Sequence, residues 1–122
     1  MTMNKNTQAA IRNLSEARLQ SDCFIWSYNT YPQIRGLLFS VPNGGTRNMR
    51  EAQALRATGL TPGIPDMILL YRGIYGFEFK SATGKVSPQQ EKIHTIWIRN
   101  GIKVYIINNQ FDFMVIVNNI CQ

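Results

Sequence analysis

The stretch from Pro65 to Lys80, PDMILLYRGIYGFEFK, does most to limit what this chain can become. Two apolar segments, Met67 to Tyr71 and Ile74 to Phe79, flank the turn signal Arg72-Gly73, which predicts a β-hairpin. Side chains alternate along a strand, so Glu78 and Lys80 share one face while Phe77 and Phe79 take the other. A central strand of an α/β sheet is covered on both faces, which leaves that carboxylate and ammonium partly desolvated. Charges held there are costly unless they pair with each other or with a metal ion. Asp66 lies twelve positions before Glu78, a separation that a tight hairpin folds back. Two carboxylates converging beside a lysine make a hard, oxygen-rich site suited to Mg²⁺ or Mn²⁺.

The rest of the chain supplies a setting for such a hairpin. At 122 residues it suits one domain, with residues 14–122 as its body and the polar residues 1–13 as a flexible start. A helix is expected from Ser15 as N-cap to about Asn29, with Leu14 stapled against Leu19. Glu16 and Gln20 project from the same side of it, and on local grounds Glu16 is a first-turn acid favoured by the helix dipole. Leu37 to Val41 predicts a first strand ended by Pro42, and Thr46 to Thr58 a helix stopped by Gly59. Arg47 and Arg50 on that helix, beside the turn Asn43-Gly44-Gly45, suit either phosphate contact or a solvated basic face.

Thr61-Pro62-Gly63-Ile64-Pro65 is a stiff entry to Asp66, which alone would be a turn-capping acid. After a loop bearing Gly84 and Lys85, Ser87-Pro88-Gln89-Gln90 starts a helix, with Ser87 as N-cap, Pro88 at the first position and Gln90 closing a capping box. His94, the one histidine, falls on that helix's half-apolar stripe and is expected to be a packed residue. Gly101 ends the helix, Ile102 to Ile107 is a β-branched strand, and Phe111 to Val117 has a strand's composition.

The net charge of +6 and a pI near 9.7 favour an anionic partner, nucleic acid ahead of a membrane surface. No apolar segment is long enough to cross a bilayer, and Met1 to Asn6 lacks the core of a signal peptide, so a cytoplasmic location is expected. Cys23 and Cys121 match neither a zinc spacing nor a disulfide framework and are expected to be reduced thiols.

Pro-Asp, a spacer and Glu-x-Lys together resemble the PD-(D/E)XK nuclease superfamily. Within it, Pro42-Asn43-Gly44-Gly45, Thr61 to Asp66, Glu78-Phe79-Lys80, Gly84 to Gln90 and Asn100 to Val104 follow the order of the VRR-NUC family, from about Glu16 to Val117. The resemblance implies an α/β fold with a restriction-endonuclease-like core, a central mixed sheet of about four strands flanked by helices. It implies a terminal helix for the last apolar segment, against its composition. It also implies a metal-dependent DNA endonuclease in which Asp66, Glu78 and the Phe79 carbonyl hold Mg²⁺ or Mn²⁺. Lys80 would act on the water and phosphate, Glu16 would be a further acid and Gln90 would reach the site. Asn43, Arg47, Arg50 and Lys85 are the candidates for DNA contact. Small stand-alone members act on branched DNA such as four-way junctions, some as homodimers. The alternative is a nucleic-acid-binding module that keeps the fold and charge without the chemistry.

Overall fold

The computed structural model describes residues 4–42 and 48–122, without the side chains of residues 9–14. A long helix α1 (Lys5–Thr30) and a 3-10 turn (Pro32–Ile34) lead into strand β1 (Leu38–Ser40). Helix α2 (Met49–Ala57) precedes the hairpin of β2 (Met67–Leu70) and β3 (Ile74–Phe79), and α3 (Pro88–Arg99), β4 (Lys103–Ile107) and α4 (Gln110–Cys121) complete the order. The sheet is mixed, in the order β1-β2-β3-β4: β1 and β3 flank β2 antiparallel, and β4 joins β3 in parallel across the α3 crossover. This is the α/β architecture expected.

The hairpin turns through Arg72 and Gly73, with φ of 54° and 139°. The first is uncommon for a residue with a side chain, and Arg72 is held there by Nη1 donating to the Gln122 carbonyl at 3.2 Å and by its guanidinium over the Tyr71 ring. That turn sets the register Met67 opposite Phe77, and everything said below about the site follows from it.

One face of β3 carries Phe77 and Phe79 into the main core against α4, whose Phe113 ring lies 5.0 Å from Phe77 and 5.9 Å from Phe79. Trp26 of α1 meets the same Phe113 ring at 6.2 Å. The other face is covered by α3, and Gly76 is what lets it come close. A Cβ on Gly76 would stand 2.8 Å from Pro65 and 3.2 Å from Trp97, too near for any larger residue. β3 is therefore the doubly covered central strand that its apolar composition predicts.

Two helix starts differ from expectation. Helix α1 starts at Lys5, because the Asn4 side chain accepts from the Thr7 amide at 2.8 Å; Ser15 is thus inside the helix and caps nothing. Glu16 is then far beyond the first turn, where the macrodipole has faded, so the dipole account of that residue falls. Helix α2 starts at Met49 with Asn48 as its cap, and ends at Ala57 with Gly59 at φ 111°. The final segment is a helix, as the resemblance implies and against its β-branched composition: Asn109 caps it by accepting from Asp112, and Phe113, Val117 and Cys121 recur every fourth position on its buried face. No helix among the described residues is long and apolar enough to cross a membrane.

Candidate active site

Because Met67 pairs with Phe77, the antiparallel register places Asp66 directly across from Glu78 and on the same face. Asp66 stands one residue before β2, where its backbone carbonyl accepts from the Val41 amide at 2.8 Å. Its side chain turns inward and Oδ2 accepts from the Phe79 amide at 2.8 Å. Pro65 behind it is fully buried, and Gly63 packs so tightly on α3 that a Cβ would meet the Gln89 carbonyl at 2.7 Å. The carboxylate is held by the strand at one end and by this wedged loop at the other.

Glu78 is only 1% exposed. Burial, then hydrogen bonding to Asp66 and its charge, push the Glu78 carboxyl from 4.5 up to about 9; Lys80 opposes the shift and Glu16 adds to it. Three of the residues singled out in the sequence, Asp66, Lys80 and Glu16, thus act on one carboxyl group. Lys80 is half-buried at the end of β3, its amide donating to the Ile107 carbonyl at 2.8 Å, and it makes no direct ion pair among the described residues.

Glu16 reaches the site from α1. Its Oε1 accepts from the Ser81 amide at 3.2 Å, next to Lys80 in the chain. Gly84 gives it room, since a Cβ there would lie 2.9 Å from that same oxygen. Gln90 closes the expected capping box: its Oε1 accepts from the Ser87 amide at 2.9 Å and its own amide donates to Ser87 Oγ at 3.1 Å. It also borders a cleft of about 780 Å³ shared with Glu16, Gln20, Ser40, Pro62 and Asp66. Both expectations for Gln90, cap and cleft residue, are compatible with one geometry.

His94 is packed as expected, but its partner was not foreseen from the sequence. At 5% exposure it sits against the charge: Nε2 lies 3.2 Å from Glu78 Oε1. Burial lowers its pKa below 6.5, while Asp66 raises it and Lys80 lowers it further. The spacing of Gln90 and His94 along α3 was a usable signal, because residues four apart share a helix face.

Arg50 and Lys85 are both exposed, on α2 and on the loop before α3. Asn43 and Arg47 lie outside the described residues.

No group of three or more His, Cys, Asp or Glu side chains among the described residues forms a ready-made metal cluster. The donor set is smaller and harder: two facing carboxylates, one of which retains a proton unusually well. A divalent cation is a chemically fitting substitute for that proton, since it relieves the same crowding of negative charge.

No family model matches the sequence, and no curated protein matches it. Among solved structures, the fold is similar to a protein described as "VRR_NUC domain protein", with a TM-score of 0.73 at 17% sequence identity, covering 87% of each chain. The arrangement of sheet, crossover helix and flanking helices in this chain is therefore a VRR-NUC-like fold.

Proposed function

We propose that this chain is a divalent-metal-dependent DNA endonuclease that hydrolyses phosphodiester bonds. The observation that carries the proposal is the pairing of Asp66 with Glu78 across β2 and β3, with Lys80 on the same face, inside a VRR-NUC-like fold. Asp66 and Glu78 would hold Mg²⁺ or Mn²⁺, with the Phe79 carbonyl as a further oxygen donor. The ion, when bound, would supply Lewis acidity to a phosphodiester and to the water that attacks it.

The side chains divide the remaining work. Lys80 would orient the attacking water and offset the negative charge that grows on the phosphate oxygens. Glu16, fixed on the Ser81 amide, would accept a hydrogen bond from water in the cleft and keep it beside Lys80. The side-chain nitrogen Nε2 of Gln90, which the capping box does not use, would donate to the same water or to the phosphate. Arg50 and Lys85, with Asn43 and Arg47, would bind flanking phosphates and supply most of the affinity without sequence preference.

Branched DNA is the favoured substrate, and two copies related by a twofold axis would suit paired cuts across a junction. The test is incubation with plasmid, linear, flapped and four-way-junction DNA in Mg²⁺, Mn²⁺ or EDTA, with sizing of the free protein. Cutting that needs the ion and disappears in Asp66→Asn and Lys80→Ala supports the enzyme. Salt-sensitive binding with no cutting in either ion would instead identify a nucleic-acid-binding module.

A further inference from the structure

We infer that His94 is a positioning residue for Glu78, holding one carboxylate oxygen through its ring Nε2 so that the rest of the group is presented beside Asp66. The inference rests on the proposed metal-binding role of that carboxylate pair. It adds a residue that the Glu-x-Lys pattern does not contain.

The geometry around His94 is built to make this contact. Nε2 stands 3.2 Å from Glu78 Oε1, and both residues are at least nine-tenths buried. Three features bring α3 within reach. Gly76 lacks the side chain that would collide with Trp97, one turn beyond His94. Gly63 lets the entry loop close on the Gln89 carbonyl, and Gln89 Nε2 donates to the Pro62 carbonyl at 3.3 Å. The capping box fixes where the helix begins. Each constraint locates α3 against the same strand that carries Glu78, so the ring position follows from backbone packing and not from a long flexible side chain.

A glutamate has three side-chain torsions, and an unrestrained one samples several carboxylate orientations. In the tautomer with its proton on Nε2, the ring places an N–H on one oxygen and removes most of that freedom before any ion arrives. Residues that hydrogen-bond a metal-binding carboxylate orient it in this way, and their loss typically weakens metal affinity by about 10–100-fold. DNA contact does not pass through this buried ring, so affinity for DNA should not follow the same trend.

The experiment compares full-length wild type, His94→Met and His94→Gln, each checked for folding by circular dichroism and melting. Mn²⁺ affinity is measured by calorimetric titration, and kcat and KM for DNA cleavage are determined separately. Methionine fills similar volume without a donor, whereas glutamine places an N–H near the position of Nε2. The expected result is about 10–100-fold weaker Mn²⁺ binding in His94→Met, recovery to within a few-fold in His94→Gln, and an unchanged KM for DNA. Should His94→Met fail to fold, His94→Asn carries the same contrast, because its amide stops one atom short. Wild-type Mn²⁺ affinity in His94→Met, or in His94→Asn where it replaces the methionine variant, would overturn the inference and leave the nuclease reading standing. If wild type itself binds no Mn²⁺, or if Asp66→Asn binds it equally well, the carboxylate site fails, and this inference with it.

Discussion

The Asp66 carboxylate accepts the Phe79 amide proton at 2.8 Å, so a residue proposed to bind metal also closes the hydrogen-bond ladder where β2 ends. Two substitutions separate those duties. In Asp66→Asn the amide oxygen can still accept from Phe79, and the negative charge that pushes the Glu78 carboxyl upward is removed. Its melting temperature should match or exceed that of wild type, while cleavage falls by more than the 10–100-fold typical of a change outside the ligand set, that is by over about 100-fold. Asp66→Ala strands the Phe79 amide and should lose about 1–3 kcal/mol of stability as well. Denaturant melts beside a metal-dependent cleavage assay check both; an active Asp66→Asn would remove the metal role.

Gly84 and Gly63 make a second pair of opposites. At Gly84 an added Cβ meets Glu16 Oε1 at 2.9 Å and Ser81 Oγ at 3.0 Å, side-chain ends that can swing away, while the Ser81 backbone nitrogen stands off at 3.3 Å. Gly84→Ala should therefore keep stability within about 1 kcal/mol of wild type while slowing cleavage about tenfold, if Glu16 serves the site. At Gly63 the obstacle is the Gln89 backbone, and φ is +94°. Gly63→Ala should lose about 1–3 kcal/mol of stability. Cleavage by Gly84→Ala equal to wild type would leave Glu16 a purely structural residue.

How far these relationships were visible in the sequence depends on the distance that separates the partners. Asp66, Glu78 and Lys80 were legible together because a tight turn and a two-residue period dictate register within one hairpin. Ser87 and Gln90 were legible because a capping box is local. The start of α1 was not, since residues 5–13 bear no clear apolar stripe and Asn4 alone marks the entry. The contact of His94 with Glu78 depends on how closely α3 docks on the sheet, which is decided at Gly76 and Gly63. The seat of Glu16 depends on Gly84, far away in the chain. Neither distance is written in a spacing.

Arg50 and Lys85 are exposed and so can be removed without disturbing the core. If each neutralises one phosphate, Arg50→Ala and Lys85→Ala should each reduce the steepness of log K against log salt by about 0.9. Cleavage at low salt and saturating DNA should change little. Fluorescence anisotropy across a salt series with junction and linear DNA measures this. An unaltered slope in the double variant would move the DNA path to another face.

Glu78 makes the metal-free protein's stability depend on pH in a direction opposite to that of an ordinary surface acid. In the folded chain it keeps its proton up to about pH 9, against 4.5 when unfolded, so the folded state carries the extra proton between those values. Stability from this group is complete below 4.5 and is lost as pH rises toward 9. His94 works the other way, its lowered pKa giving stability that grows as pH rises to 6.5 and is constant above it. The thiols of Cys23 and Cys121, both raised from 9.0 by burial, enter only near that value. From about pH 6.5 to 8 the Glu78 contribution therefore stands alone among the shifted groups, with a slope of at most about 1.4 kcal/mol per pH unit. In EDTA the melting temperature should fall across that window, and Glu78→Gln, which has no proton to lose, should flatten the fall. Saturating Mn²⁺ should weaken or reverse it, because the ion takes the deprotonated pair and its stabilisation grows as the competing proton leaves. A wild-type profile in EDTA as flat as that of Glu78→Gln would mean that this buried carboxyl is already ionised without a cation.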